Sequence, residues 1–288
     1  MKKILLLLGI AVTTNYTFAQ DEGGKDIRNV RFGINVSPSL DWYKPDGKIM
    51  TGNGIVPKIG GGLLVEFRLA KVASIATGAQ INMAGGKINY TNGGQTTPNA
   101  NTVSYYYSNS DDKIITFNSS PGANSTAADI ANFYQSNTRY QLNSRTYSVT
   151  YITIPLTLKL KTKQIGMMTY FGNIGVNNSI RWSAKAKDDV TDWNSGANTT
   201  NSKIDITKDV ALFHETLTIG LGTEMNLSGS TSLTFGLNYL LGFTNAVKST
   251  SDYLMKQTNN PSGGGYSQDG LPQNIKTNSV VLTIGILF

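Results

Sequence analysis

Eight runs of alternating apolar and polar residues constrain this chain more than any other feature. The clearest run closes the sequence, N-S-V-V-L-T-I-G-I-L-F, where every second residue from Val280 to Phe288 is apolar. A period of two is the repeat of a β-strand, because successive side chains of a strand point to opposite faces. The eight runs therefore predict a sheet with one apolar and one polar face. They extend over residues Val30–Tyr43, Pro57–Leu69, Val72–Tyr90, Thr146–Lys161, Met167–Ala184, Val210–Leu227, Ser232–Val247 and Thr277–Phe288.

The connections between the runs alternate in length. Tight turns at 69–72, 162–166 and 227–231 alternate with long segments rich in Asn, Ser, Thr and Gly at 43–56, 90–145, 185–208 and 249–276. This alternation is typical of outer-membrane barrels, whereas the closing run alone would also fit the buried last strand of a soluble sandwich. We therefore predict an all-β fold: an eight-stranded antiparallel up-and-down transmembrane β-barrel with short periplasmic turns and long extracellular loops. The barrel domain is expected over residues 30–288, and its loop at about 91–145 could hold a short helix near 126–135.

The polar face of the runs is predicted to point inward. The interior of an eight-stranded barrel has room only for side chains, and charges packed there can satisfy one another. The predicted structural residues of the lumen are Arg31, Glu66, Arg68, Lys159, Arg181 and Glu224. Aromatic residues near the ends of the apolar face predict two girdles at the bilayer interfaces. They are Trp42, Tyr90, Trp182 and Phe243 toward the long loops, and Phe32, Phe67, Tyr170, Phe235 and Phe288 toward the short turns.

The first nineteen residues predict export. Lys2 and Lys3 precede a short apolar stretch, and small residues before Gln20 favour cleavage there, so residues 1–19 are predicted to be a signal peptide and residues 20–29 a periplasmic segment. The chain has no cysteine, which excludes disulfides, cysteine-ligated metals and a lipoprotein anchor. The formal net charge of +7 is scattered along the chain and forms no basic run suited to nucleic acid. The predicted location is the outer membrane.

Several segments resemble one family of barrels. The stretch Tyr151–Lys159, Y-I-T-I-P-L-T-L-K, resembles the Y-x-x-[IL]-P-[LI]-x-[LIV]-K strand of the PorT-like outer-membrane β-barrel family of Bacteroidota. The segments Gly33–Pro38 and Gly60–Phe67 and the pair Gly220 and Gly222 are similar to that family as well. The resemblance covers the whole mature chain and implies an outer-membrane barrel without implying an activity. One branch of the family takes part in type IX secretion and gliding, and no residue here selects that branch.

Catalytic, cofactor and metal sites are not expected from the sequence. His214 is the only histidine, and no G-x-S-x-G nucleophile motif occurs. The acidic pairs Asp111–Asp112 and Asp188–Asp189 lack the spacing of an EF-hand. We therefore predict a non-enzymatic protein without a cofactor, a structural or binding component of the cell envelope. Two alternatives stay open: a rim enzyme acting on lipid A or peptides with His214 as base, and a small pore.

The expected partners follow from the predicted location. Outer-membrane lipid would cover the apolar face, and the barrel-assembly machinery would recognise the final strand through the assembly signal Phe288. Tyr105, Tyr106 and Tyr107 of the long loop are candidate contacts for an envelope complex, such as a type IX-like secretion apparatus or a surface assembly. No nucleic-acid partner is expected.

Overall fold

The computed structural model describes residues 29–90, 102–119, 125–260 and 265–288, without the side chains of 257–260 and 265–269. The predicted signal peptide and nearly all of the predicted periplasmic segment lie outside the described residues. One sheet contains fourteen strands. Their bounds are β1 Val30–Pro45, β2 Met50–Gly52, β3 Val56–Ala70, β4 Ala73–Tyr90, β5 Val103–Ser108, β6 Lys113–Ile115, β7 Asn137–Lys161, β8 Met168–Asp192, β9 Asn198–Asp205, β10 Phe213–Ser228, β11 Thr231–Gly242, β12 Thr250–Asn260, β13 Gly265–Pro272 and β14 Ile275–Leu287.

Eight of these strands close into a barrel. Strands β1, β3, β4, β7, β8, β10, β11 and β14 are paired antiparallel in chain order, and β14 returns to pair with β1 from Gly33↔Leu287 to Pro45↔Ile275. Short turns join β3 to β4, β7 to β8 and β10 to β11. The predicted eight-stranded up-and-down barrel is therefore confirmed, with every strand of the wall paired on both sides.

The apolar residues of the wall face outward. Leu63, Ile81 and Leu221 are 59%, 63% and 66% exposed, whereas Glu66 and Thr153 on the opposite face are buried. A band of exposed aliphatic side chains around a whole protein is stable only when lipid covers it. This arrangement answers what the alternation alone could not, because a period of two does not distinguish the inside of a barrel from the outside.

Two prolines interrupt the pairing of the wall. The β1–β14 ladder skips from Val36↔Ile284 to Ser39↔Val281 across Pro38, and the β4–β7 ladder skips the pairs opposite Pro155. Proline has no N–H to donate, so each ladder loses a hydrogen bond there. Gly78, opposite Pro155, has a φ of 156°, and a Cβ at this position would lie 2.0 Å from the Leu63 carbonyl oxygen. Only glycine fits this approach of β4 to β3.

The long connections are largely folded into strands. Strands β7 and β8 have 25 residues each, about 80 Å at the usual rise per residue, whereas a membrane crossing needs about ten residues. Their outer halves carry β5 and β9, and β12 and β13 extend the same sheet. Together with β2, β6 and a helix, these elements form what we call the extracellular cap. The predicted loops are thus shorter than the sequence indicated, because their Tyr, Val and Ile residues pair and pack.

The extracellular cap has its own hydrophobic core. Tyr90 is only 4% exposed and lies in this core, so its predicted place in the outer aromatic girdle is wrong: β4 continues past the membrane and carries the ring into the cap. The core spans the mouth of the barrel. Its buried members include Tyr43, Met50, Ile88, Val103, Tyr105, Leu142, Tyr147, Val149, Val190, Ile204, Ile206, Val247, Leu254, Leu271 and Ile275.

A short helix, α1, lies at Ala127–Ser136, close to the segment that the sequence suggested. The Thr126 side chain accepts from the Asp129 backbone N–H while Asp129 reaches back to the Thr126 N–H, a capping box that fixes the start of the helix. None of its residues is buried. In the part of the chain that the structure describes, no helix has the length and apolarity needed to cross a membrane.

Candidate functional site

Five charged side chains close the periplasmic end of the lumen, and we call them the basal ion cluster: Arg31, Glu66, Lys159, Lys161 and Glu224. Arg31 Nη2 donates to Glu66 Oε1 at 2.9 Å and to Glu224 Oε2 at 2.8 Å. Lys159 Nζ lies 3.1 Å from Glu66 Oε2 and 2.6 Å from Glu224 Oε1, and Lys161 contacts both carboxylates. Each carboxylate is thus shared by three cations. A buried charge is stable only when it is paired in this way, so the cluster holds four strands together.

An aromatic ring completes this closure. The Lys159 ammonium lies 4.2 Å from the centroid of the Phe171 ring, a cation–π contact inside the lumen. The ring needs space that glycine provides, because a Cβ on Gly222 would lie 2.3 Å from its Cζ atom. The ring and the basal ion cluster therefore fill the base of the barrel with side chains.

A polar cavity of about 180 Å³ lies above the basal ion cluster. Asn177 Nδ2 donates to Thr218 Oγ1 at 2.9 Å, and Asn173 Nδ2 donates to Asn238 Oδ1 at 2.9 Å. The carboxamide oxygens of Asn35 and Asn173 are buried and have no partner among the described residues. A cavity of this size and polarity can hold about six water molecules, which would satisfy such oxygens. The cavity is lined mainly by amide and hydroxyl side chains, together with the buried Asp41 carboxylate and the His214 ring.

His214 lies at the upper edge of this cavity and is almost fully buried. Its ring is 5.4 Å from that of Tyr151, its Nδ1 is 3.4 Å from Thr244 Oγ1, and its Nε2 has no partner within the described residues. A catalytic base is normally oriented by a third group, most often a carboxylate. Here the orienting group is the Thr244 hydroxyl, and no described residue supplies a carboxylate hydrogen bond to the ring.

A buried ion pair fixes the base of the extracellular cap. Arg145 of β7 and Asp188 of β8 are both fully buried and form two parallel hydrogen bonds of 2.7 Å each. The guanidinium also lies between the rings of Tyr105 and Tyr147, 5.8 and 5.9 Å from their centroids. Burial alone would lower the pKa of Arg145, but the Asp188 carboxylate raises it well above the ordinary value. The guanidinium therefore stays charged, and the pair ties β7 to β8 above the membrane.

One surface of the cap, beside α1, carries aromatic rings that are half-buried or exposed. Arg139 stacks on the Trp193 ring at 3.6 Å from its centroid, and the Tyr107 and Tyr140 rings meet at 6.2 Å. Beside them Tyr134 of α1 is 55% exposed. We call this surface the aromatic tip and define it by Tyr107, Phe133, Tyr134, Arg139, Tyr140 and Trp193. Tyrosine, tryptophan and arginine are the residues most enriched at the energetic centres of protein interfaces.

Comparison with known proteins identifies the family of this chain. The model of the family described as outer membrane protein beta-barrel domain matches residues 18–248. The chain belongs to this family. No curated protein matches it.

Three solved structures with a similar course of the chain are distant from this barrel-domain protein in sequence. Neisserial surface protein A is 7% identical, with 89% of this chain and 97% of that one covered and a TM-score of 0.34. OprG from Pseudomonas aeruginosa is 10% identical, with 90% and 94% covered and a TM-score of 0.38. The outer membrane protease OmpT from Escherichia coli is 9% identical, with 93% and 99% covered and a TM-score of 0.31.

Four of the six lumen residues predicted for this barrel-domain protein lie in the basal ion cluster, and the other two bind backbone carbonyl oxygens. Arg31, Glu66, Lys159 and Glu224 meet in the basal ion cluster. Arg68 instead binds the carbonyl oxygens of the β3–β4 turn, and Arg181 donates to the carbonyl oxygens of Thr207 and Val210. Arg68 thus lies beside the β3–β4 turn, whereas Arg181, near the middle of β8, binds the segment that precedes β10.

The candidate loop tyrosines lie in the extracellular cap, and the terminal residue lies at the opposite end of the barrel. Tyr105 and Tyr106 are 0% and 2% exposed in the extracellular cap, which leaves Tyr107 as the tyrosine of the three that contributes to the aromatic tip. Phe288 exchanges two backbone hydrogen bonds with Phe32 and so ends the β1–β14 seam on its periplasmic side.

Three residues of these sites in the barrel-domain protein, Lys161, Arg145 and Asp188, are not predicted from the sequence. Lys161 shares the strand parity of Lys159, so extending the alternation by one step would have found it. Arg145 and Asp188 are separated by 43 residues and lie in segments that were interpreted as loops. No local pattern signals such a pair.

Proposed function

We propose that this protein is a non-enzymatic outer-membrane barrel that binds a partner through its aromatic tip and conducts no solute. The observation that carries the proposal is the hydrophobic core of the extracellular cap, which spans the mouth of the barrel. Loops that only lined a pore would leave the mouth open to water. A folded cap instead presents a fixed surface, which lowers the entropic cost of binding a partner.

The chemistry of the aromatic tip supports a macromolecular partner. Aromatic rings and one stacked guanidinium provide a large, rigid contact area with few rotatable bonds. Such a surface suits a protein of the envelope, and we propose a larger envelope complex as the setting. The resemblance to PorT-like barrels makes a type IX-like secretion apparatus one candidate for that complex. We further propose that the barrel-assembly machinery recognises the final strand with Phe288.

The closed lumen gives the first test. Purified protein in planar bilayers is expected to show no stable conductance, because the basal ion cluster and the cap block the two ends in series. The matched variant Asn238→Ala enlarges the cavity and leaves the basal ion cluster and the extracellular cap unchanged. It should likewise show no stable conductance. Stable nanosiemens-scale channels in the wild-type protein would contradict the closed lumen and favour the small pore.

The aromatic tip gives the second test. Crosslinking in native membranes should recover a partner with the wild-type protein, and Tyr134→Ala combined with Trp193→Ala should reduce recovery about tenfold, because hot-spot truncations each weaken binding by more than about 1 kcal/mol. Lys203→Ala, on an exposed strand of the same cap, is the control and should recover the partner normally. His214→Ala should leave lipid A structure and peptide cleavage unchanged. A change in either product, with no partner recovered, would favour the rim enzyme instead.

A further inference from the structure

Two lysines face each other across the β1–β14 seam. Lys44 and Lys276 are directly opposed in the register, and both side chains are exposed. Like charges placed directly opposite on neighbouring strands repel each other. Neither lysine belongs to any ion pair among the described residues. The nearest acid along β1, Asp46, is held by the Asn274 side-chain amide. Within the described part of the chain, the two lysines of the seam therefore have no acidic partner.

The two lysines continue the lipid-facing rows of their strands. Along β1 the outward row runs from Leu40 through Trp42 to Lys44. Along β14 the same parity leads from the exposed Leu282 past the buried Asn278 to the exposed Lys276. Trp42 is opposed to Asn278 one step below the lysines, where the apolar row of β14 ends. The direction of both strands places this end of the seam on the side of the extracellular cap.

Aromatic rings mark the height of the lysines relative to the bilayer. The ring of Trp42 lies 6.1 Å from that of Tyr239, which is 42% exposed on the outer wall. Tryptophan and tyrosine side chains concentrate at the level of lipid headgroups. Lysine stems lie along apolar surface and extend their ammonium groups toward this polar layer. Both lysines therefore lie at headgroup height on the outer face of the wall, level with the base of the cap.

We propose that Lys44 and Lys276 bind a phosphate group of a phosphorylated glycolipid headgroup in the outer leaflet. A phosphate between the two ammonium groups would replace their mutual repulsion by two charge-assisted hydrogen bonds. The site faces the bilayer, so a lipid headgroup reaches it directly. This site is separate from the aromatic tip, and its occupancy does not depend on the partner proposed there.

The experiment compares two lipids that differ only in phosphate. Full-length folded protein is incubated in nanodiscs with bisphosphorylated lipid A or with dephosphorylated lipid A of the same acyl chains, and bound lipid is counted by native mass spectrometry. The wild-type protein is expected to retain the phosphorylated lipid about tenfold more, given the attraction of a phosphate headgroup to each nearby basic residue. The preference should fall as salt is added, because the site is exposed.

Two double variants decide the assignment. Lys44→Gln with Lys276→Gln should reduce the preference to less than about threefold by removing both ammonium groups. Lys203→Gln with Lys208→Gln removes the same charge from exposed positions of the cap. This control should keep the preference for the phosphorylated lipid. Both double variants should still migrate as folded barrels. Equal retention by the seam variant and the wild-type protein would overturn the proposal. An equal loss of preference in the control variant would overturn it as well. In nanodiscs that contain anionic phosphatidylglycerol in place of lipid A, retention of that lipid as strong as that of phosphorylated lipid A would also overturn the proposal.

Discussion

Replacing Leu282 and Ile284 together by aspartate is expected to block insertion of the barrel. Both side chains lie on the lipid face of β14, 43% and 39% exposed, in the middle of the wall. Each carboxylate placed in the hydrocarbon layer should cost on the order of 2 kcal/mol. The sum is a large part of the 5–15 kcal/mol by which typical proteins are stable. Heat-modifiable migration on gels and outer-membrane fractionation would measure the loss of folded protein.

The control for this experiment lies between the two substituted residues. Thr283 points into the lumen, where its hydroxyl accepts a hydrogen bond of 3.2 Å from Asn238 Nδ2. An aspartate at position 283 would face the polar cavity, so Thr283→Asp should leave most of the protein folded in the membrane. Normal levels of the Leu282→Asp, Ile284→Asp protein would show that this face of β14 does not contact lipid.

Breaking the Arg145–Asp188 pair from one side is expected to loosen the extracellular cap. Arg145→Met leaves the Asp188 carboxylate buried without its partner, and Asp188→Leu does the same to the guanidinium. Removal of one partner of a fully buried pair typically costs about 3–5 kcal/mol. Since both residues lie above the membrane wall, the loss should appear as faster proteolysis and hydrogen exchange of the cap while the barrel remains heat-modifiable.

The double variant separates pairing from packing. With Arg145→Met and Asp188→Leu combined, no unpaired charge remains, and two apolar side chains occupy similar volumes between the Tyr105 and Tyr147 rings. Such replacements of buried pairs are often neutral in stability. The double variant should therefore be more stable than either single variant, with a coupling that a double-mutant cycle measures. Purely additive losses would mean that the two charges stabilise the cap independently.

The wall of the barrel was predictable from the sequence because the pattern that specifies each strand lies within that strand. Each crossing strand carries its own alternation, as in Ile152, Ile154 and Leu156, and a bilayer requires that pattern of every strand. The parity of Arg31, Glu66, Lys159 and Glu224 followed from the same repeat. What the pattern could not give was which charges lie at one height, since this depends on the stagger of the strands around the barrel. Arg68 and Arg181 share the parity of the cluster but not its height.

The extracellular cap was not predictable in the same way. Strand β5 pairs with β12 at Met255↔Ser104, and this contact joins segments that are 151 residues apart. Nothing near Ser104 in the sequence indicates that partner. The cap strands are also rich in Asn, Ser and Thr, which local reasoning assigns to loops. Tyr105 and Tyr106 were interpreted as contact residues because their burial depends on β7 and on α1, whose positions no short window contains.

The interrupted ladders at Pro38 and Pro155 make the wall mechanically uneven. The strands β1, β3 and β4 form a panel that is bounded on both sides by seams with missing residue pairs, and β3 within it carries the consecutive glycines Gly60, Gly61 and Gly62. A closed barrel under lateral pressure deforms first where its shell is least stiff. When the bilayer thins or changes its lateral pressure, we expect this panel to flex as a unit while the opposite wall, from β8 to β11, keeps its curvature.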